Sequence, residues 1–584
     1  MENGEQGTGN GELQISDTPF SVPDSRFPAF HFLPCCLLLL VSAAHATSGA
    51  HGMVAADHRL ASQAGIEMLQ RGGNAVDAAA AGAFALGVVN PSSSGIGGGG
   101  FMLIYLGLSG RAVALDYRET APAKAGRDMF LRGGRAVPEL SLHGGLAVAV
   151  PGEVAGLAEA LSRHGTLPLS TVMQPAIRYA RDGFTVEKHL AQEIADTSAG
   201  LRADPVLARN FLHPDGEPLR AGETVREPEL AEVLQRIADQ GPDAFYRGTI
   251  AERIARSVQG AGGVLSERDL AEYSPQWRLP LWGNHGEAQV ITMAPPSSGG
   301  GVLLEILDIL RQDDLGRLGQ NSPSYVHLVA EAMEHAFADR ARYYGDPDFV
   351  HVPLAALLAP ANTAALRRRI SPTRTLEPSA YGSRTSAHAA TAREAGTSYI
   401  SVMDAEGNAV ACSTTINTAF GSLLVAGDTG IILNDEMDDF SAQPGVPNVY
   451  GLIGGEANVI APRKRPLSSM TPTIVTRGGQ AILAIGGSGG PLIISATTEV
   501  LLNILDFDMS ATASVAAPRF HDQWTPAILA VEPEIPEATK LVLARYGYVV
   551  KEMASMGAVQ AVKRSAGVFE GASDPRKGGE AAGW

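Results

Sequence analysis

Gly396-Thr397 opens the stretch TSYISVMDAEGNAVACSTTINTAFGS, residues 397–422, and is the point of this chain best suited to nucleophilic chemistry. Residues 397–404 alternate small polar and larger side chains with period two, the pattern of a half-buried strand. Asp404 to Asn408 read as a turn, and 409–415 resume the strand pattern, so the whole predicts a β-hairpin. Scission of the bond before Thr397 would set a free α-amine beside the hydroxyl of the same residue. An α-amine with an ordinary pKa of about 7.7–8.0 is partly neutral near pH 7 and can take that hydroxyl's proton. This is the threonine version of an activated nucleophile. Threonine is also a common strand residue, so the hairpin alone leaves both readings open.

Further candidates lie downstream. IILNDEMDDF, residues 431–440, sets Glu436, Asp438 and Asp439 after an apolar run that reads as a strand. RKRPLSSM, residues 463–470, is a basic run ending in Ser468-Ser469. AILAIGGSGGPLIISATTE, residues 481–499, reads as strand, glycine turn and helix with Pro491 in its first turn. Backbone N–H groups at such a turn suit a developing oxyanion. The same turn matches G-x-S-x-G at Ser488, the nucleophile elbow of serine hydrolases, with Asp506, Asp508 and His521 as partners. That fold needs alternating strands and helices before the elbow, whereas this chain reads as mostly helical there. Arg118 ends a strand pair (101–106, 111–117), where a planar fork can meet a carboxylate. His327, Glu331 and His335 share one helix face at metal-ligand spacing but lack the H-E-x-x-H order, and read as a packed or solvated face.

The positioning elements follow from pattern and composition. The chain has 584 residues, 45% of them hydrophobic, and a net charge of −17. No basic stretch suits nucleic acid. Residues 32–46, FLPCCLLLLVSAAHA, end in an A-x-A cleavage pattern and are too short for a stable membrane span, so 1–46 read as a signal-like leader and the protein as periplasmic or secreted. The acidic segment ahead of the apolar run is atypical for a leader. Removal would leave 44 Lys+Arg against 57 Asp+Glu, a charge of −13, and Cys412 alone, which excludes an intrachain disulfide. Helices are expected at 57–71 and 76–88, joined by Gly72-Gly73-Asn74. SSSGIGGGGFMLIY at 92–105 lacks the Gly-Lys-Ser/Thr of a phosphate loop, so its glycines point to close backbone packing. Residues 152–345 read as mostly helical, with strand-like runs near 277–281 and 287–293, and 295–301 cap a helix. Residues 367–395 read as a mobile linker leading to Gly396, and 559–562 as a strand.

Taken in order, SGIGGGGFML (94–103), LDYRETAP (115–122), the hairpin, NDEMDDFS (434–441), PGVPNVYGLIGGEAN (444–458), RPLSSM (465–470) and GGSGG (486–490) resemble the γ-glutamyltranspeptidases, or glutathione hydrolases, of the N-terminal-nucleophile hydrolase superfamily. The resemblance runs from about residue 52 to the end. It implies an α+β fold, a four-layer αββα sandwich. It also implies self-cleavage at Gly396–Thr397 into a large subunit, 47–396, and a small subunit, 397–584, that stay together as a heterodimer. It implies Thr397 as nucleophile, its amine as base, and Thr415 as the second threonine that aids maturation. Arg118, Ser468 and Ser469 would grip the glutamyl α-carboxylate, Asn417, Glu436 and Asp439 the α-ammonium. Gly489 and Gly490 would form the oxyanion hole, and Tyr450 a lid. The implied donors are glutathione or similar γ-glutamyl compounds and the acceptors water, amino acids or dipeptides, with no cofactor and no metal. One departure is Ser398-Tyr399, where the family often has Thr-His. The glutaryl-cephalosporin acylases share the fold, but their substrates lack the ammonium group that Glu436 and Asp439 together suit. A non-catalytic solute-binding relative is the remaining alternative.

Overall fold

A computed structural model describes residues 47–382 and 396–584. The leader and residues 383–395 of the expected linker lie outside the described residues. Two seven-stranded antiparallel sheets carry the fold. In chain order their strands are β1 (Thr47–Gly49), β2 (Gly52–Ala56), β3 (Gly99–Leu106), β4 (Arg111–Tyr117), β5 (Gln276–Arg278), β6 (Leu281–His285), β7 (Ala288–Thr292), β8 (Thr397–Asp404), β9 (Ala409–Thr415), β10 (Thr473–Arg477), β11 (Gln480–Ser488), β12 (Ala558–Ser565), β13 (Val568–Ala572) and β14 (Glu580–Gly583). The first sheet runs β1-β13-β12-β11-β10-β7-β6 and the second β14-β2-β8-β9-β3-β4-β5.

Alternation along the strands explains the layering. On β8, Tyr399 and Met403 join the apolar cluster between the sheets, with Met53, Phe101, Ala411, Ile474 and Val562. Ile400 and Val402 face the other way, into a cluster with helices α1 (Arg59–Gln70) and α2 (Ala75–Val89). The first sheet is covered likewise by α3 (Gly299–Ile309), α4 (Pro323–Tyr343) and α5 (Leu492–Leu505), through Val475, Leu483 and Ile485. Helix, sheet, sheet and helix form four layers, the αββα sandwich. The hairpin is therefore buried on both faces rather than half-buried, because its strands lie inside a sheet that is itself an inner layer.

Asn74 caps α2 through a capping box with Asp77, and Gly82 lets α2 meet the sheet, since a Cβ there would sit 2.1 Å from Ile400 Cδ1. Several expectations need correction. The apolar run before Glu436 is not a strand; it is irregular chain with one isolated bridge, Val425 to Ile432, and Glu436–Asp439 form a 3₁₀ turn. Residues 367–369 end a helix, and 371–382 are docked rather than mobile: Ser371 O meets His327 Nε2 at 2.6 Å, and Trp524 Nε1 donates to Pro378 O at 2.8 Å. Within the expected cap of α3 the acceptor is Ser297, whose Oγ takes the Gly299 N–H at 3.3 Å, while the Ser298 hydroxyl donates to Ser468 O at 2.7 Å. Strands β1, β2, β10, β13 and β14, and β6 beyond Leu281, have no counterpart among the sequence expectations. Among the described residues no helix is long and apolar enough to cross a membrane.

Candidate active site

Thr397 heads β8 and lies opposite Thr415, the last residue of β9. Their hydroxyl oxygens are 3.2 Å apart, and Thr415 Oγ1 donates to Gly396 O at 2.9 Å. The threonine pair thus brackets the Gly396–Thr397 peptide bond. Asn417 N donates to Thr415 Oγ1 at 2.9 Å, which leaves that hydroxyl's proton for the Gly396 carbonyl. Glycines 97–100 allow this approach: a Cβ on Gly98 would fall 1.8 Å from Thr415 O. Close backbone packing is therefore their role.

One cavity with about 300 Å³ of empty space is lined by Thr397, Thr415, Asn417, Arg118, Glu436, Asp439, Tyr450, Ser468, Ser469 and Gly490, among others. Residues up to 372 positions apart are thus gathered at one surface. Gly489 and Gly396 line an adjoining cavity with Ser488 and Lys577. Gly489 and Gly490 have φ of 124° and 59°, a region glycine enters freely, so the turn after β11 depends on them. The Tyr450 hydroxyl donates at 2.8 Å to Asn417 Oδ1 or O, and its side chain lines the cavity.

The charged groups of the cavity are paired with one another. Arg118 is 1% exposed and binds Glu436 and Asp439 through its two Nη atoms, while its Nε donates to Pro466 O at 3.2 Å. Burial raises the pKa of Glu436 and Asp439, and Arg118 opposes the rise. Burial pushes Glu119 up to about 8, against the pull of Arg118 3.7 Å away. Glu436 Oε2 has no hydrogen-bond partner among the described residues. Asp438 does not join the cavity; it accepts from Ser141 Oγ at 2.7 Å and from the Val449 N–H at 3.1 Å.

The alternative serine arrangement is not assembled. Ser488 Oγ accepts from Lys577 Nζ at 3.3 Å, whereas His521 pairs with Ser495 and Gln523, and Asp506 with His285. His327, Glu331 and His335 are a packed face: His327 Nδ1 meets the Tyr548 hydroxyl at 2.9 Å, and His335 packs edge-to-face against Tyr381. Ser398 keeps a structural hydroxyl, 3.0 Å from Asn90 Nδ2 and 3.1 Å from Ser94 Oγ, and Tyr399 donates to Ile485 O at 2.7 Å. Cys412 is buried beside the Tyr117 hydroxyl.

Two supporting groups were not visible from the sequence. Lys577 Nζ donates to the Thr397 carbonyl and pairs with Asp57 at 3.0 Å, and Asp57 accepts from Tyr399 N at 3.1 Å and Gln560 Nε2 at 2.5 Å. Arg340, on α4, donates to Ser469 Oγ at 3.2 Å and to Ser298 Oγ at 2.9 Å. No sequence signal marks either: Lys577 stands among Asp574, Arg576 and Glu580, and Arg340 among Glu334, Asp339 and Arg342.

An N-terminal-nucleophile hydrolase sandwich with a threonine at the head of a central strand is the class these features define. The family model described as Gamma-glutamyltranspeptidase matches residues 61–584, and the chain belongs to that family of enzymes. It is 43% identical over 539 residues to the glutathione hydrolase proenzyme of Escherichia coli, covering 91% of each chain. Among solved structures it is similar to a cephalosporin acylase from Bacillus halodurans, with 28% identity, a TM-score of 0.80, and 97% of this chain and 99% of that one covered. It is also similar to the γ-glutamyltranspeptidase of Helicobacter pylori, with 39% identity, a TM-score of 0.54, and 56% of this chain and 93% of that one covered.

Proposed function

We propose that the chain cuts itself between Gly396 and Thr397 and then transfers γ-glutamyl groups from glutathione or similar donors to water, amino acids or dipeptides. The observation that carries this reading is the pairing, in one cavity, of a threonine pair on the scissile bond with a buried arginine facing two carboxylates. In maturation, Thr397 Oγ1 attacks the Gly396 carbonyl carbon. Thr415 donates to the oxygen that takes up the negative charge. The Thr397 nitrogen leaves with the hydroxyl proton, and water hydrolyses the ester, freeing the Gly396 carboxylate and the Thr397 hydroxyl. The two subunits are then 47–396 and 397–584, after loss of the leader in an exported protein.

In turnover, the Thr397 amine takes the hydroxyl proton as Oγ1 attacks the γ-carbonyl, with Gly489 and Gly490 holding the oxyanion. The proton passes to the departing amine, and water or an acceptor amine releases the acyl group. Arg118, Ser468 and Ser469 hold the α-carboxylate, and Asn417, Glu436 and Asp439 the α-ammonium. Arg118 already binds the two acids, so a zwitterion enters by exchange: its carboxylate replaces theirs on the guanidinium and its ammonium replaces the guanidinium on them. Charge stays balanced throughout, which limits the desolvation cost. A glutaryl donor brings only half of that exchange.

Intact-mass analysis and N-terminal sequencing test the reading. A fragment beginning at Thr397 is expected from the wild type, and one uncut, inactive chain from Thr397→Ala. Full γ-glutamyl hydrolysis by that variant would end the proposal.

A further inference from the structure

Arg340 is a buried cation without an ion pair among the described residues. It is 4% exposed, on α4, and its side chain donates to two hydroxyls, Ser298 and Ser469. A buried charge is ordinarily paired, because leaving water costs several kcal/mol. Asp439 reaches Arg340 only through space and is already bound to Arg118, and Tyr344 is the other group of its surroundings. Burial lowers the guanidinium's pKa to about 10, which leaves it charged at neutral pH.

The hydrogen-bond directions give that charge a purpose. A guanidinium only donates. Ser469 Oγ must therefore accept from Arg340, and its own proton points elsewhere; the cavity is the space that Ser469 lines. Ser468 Oγ is set the same way, since it accepts from Met470 N at 3.1 Å. The loop carrying both serines is stitched to 296–298: Ser468 N donates to Pro296 O at 3.0 Å, Ser298 N to Ser468 O at 2.8 Å, and Ser297 Oγ to Met470 O at 2.5 Å. Arg340 fastens both sides of that seam.

We propose that Arg340 is a positioning residue for carboxylate recognition, fixing the Ser469 hydroxyl as a donor into the cavity and so favouring acyl donors that carry an α-carboxylate. The inference rests on reading the cavity as a γ-glutamyl site. Its readout is a ratio: kcat/KM for γ-glutamyl-p-nitroanilide over that for 4-aminobutanoyl-p-nitroanilide, which keeps the amine and lacks the carboxylate. The wild type is expected to favour the γ-glutamyl donor strongly. Arg340→Met is expected to lower the ratio by about 10- to 100-fold, the scale of a lost charge-assisted hydrogen bond, through KM for the γ-glutamyl donor. Arg340→Lys, which keeps the charge and loses the fork, is expected to fall between, and it carries the same test where Arg340→Met does not mature. A ratio unchanged in the variants, with both donors weakened equally, assigns Arg340 to packing alone and overturns the inference. A wild-type ratio near one overturns the reading of the cavity itself.

Discussion

Asp439 and Glu119 share the guanidinium of Arg118 on opposite terms. Asp439 binds it directly and, 12% exposed, lines the cavity, so in the proposed reading it would release Arg118 to a ligand and take the ligand's ammonium. Asp439→Ala is expected to lower kcat/KM for a γ-glutamyl donor by about 100-fold or more, since truncating one partner of a buried charge pair costs about 2–5 kcal/mol. A glutaryl donor, without the ammonium, is expected to lose less than about 10-fold. Equal losses on both would show that Asp439 does not read the ammonium. Glu119 is buried with neither oxygen hydrogen-bonded among the described residues, and burial, opposed by Arg118, pushes it up to about 8. Between its unfolded value near 4.5 and about 8 the folded state therefore holds a proton that the unfolded state releases. The sign follows: stability falls as pH rises through that window, by at most about 5 kcal/mol for the full difference. Urea unfolding of the uncut Thr397→Ala chain, with and without Glu119→Gln, measures this. Relative to the glutamine variant, the glutamate chain should weaken from pH 5 to pH 8. A flat difference would mean that Glu119 is ionised in the fold.

At the scale of elements, strand β8 is fixed by an ion pair whose members lie 520 positions apart. Asp57 follows β2, Lys577 precedes β14, and both bond the first residues of β8 between them. Asp57→Asn leaves Lys577 buried and uncompensated, and should cost about 3–5 kcal/mol in the uncut chain. Adding Lys577→Met should restore part of that loss, so a double-mutant cycle by urea unfolding should show a coupling well above 1 kcal/mol; additive losses would show that the two charges act separately. Such pairs mark the limit of what the sequence discloses. The hairpin is legible because alternation and a Gly-Asn turn are local, and Gly82 or Gly98 can be suspected because small residues in apolar runs permit close approach. Arg118, Glu436 and Ser469 are legible through resemblance to motifs. Asp57 and Lys577 are not, because no local pattern records which strands become neighbours. Arg340 reads like any basic residue near a helix end until Ser469, 129 positions later, folds against it. The 431–433 run misleads because isolated apolar residues fit irregular buried chain as well as a strand.

Across the whole molecule, the proposed cut falls inside a structure that interleaves both products. In the second sheet β8 pairs with β2 on one side and β9 on the other, and β9 pairs with β3, so the small product's hairpin lies between strands of the large one. β14, at the far end of the sequence, pairs with β2, and the Trp584 carbonyl accepts from Ala50, His51 and Gly52 N–H groups. In the first sheet the junctions are β7 with β10 and β1 with β13. Cutting one peptide bond removes none of these ladders, and the apolar cluster between the sheets draws Met53 and Phe101 from one product and Tyr399 and Val562 from the other. An interface of this kind is a domain core rather than a docking contact, and its buried pairs are screened little by salt. The cleaved protein is therefore expected to elute in gel filtration as one species containing both polypeptides, even at about 1 M salt, while a denaturing gel shows two bands. Urea should separate the products only at concentrations that also abolish the tertiary signal. Separation of the folded subunits in salt alone would mean that the two sheets do not hold the products together.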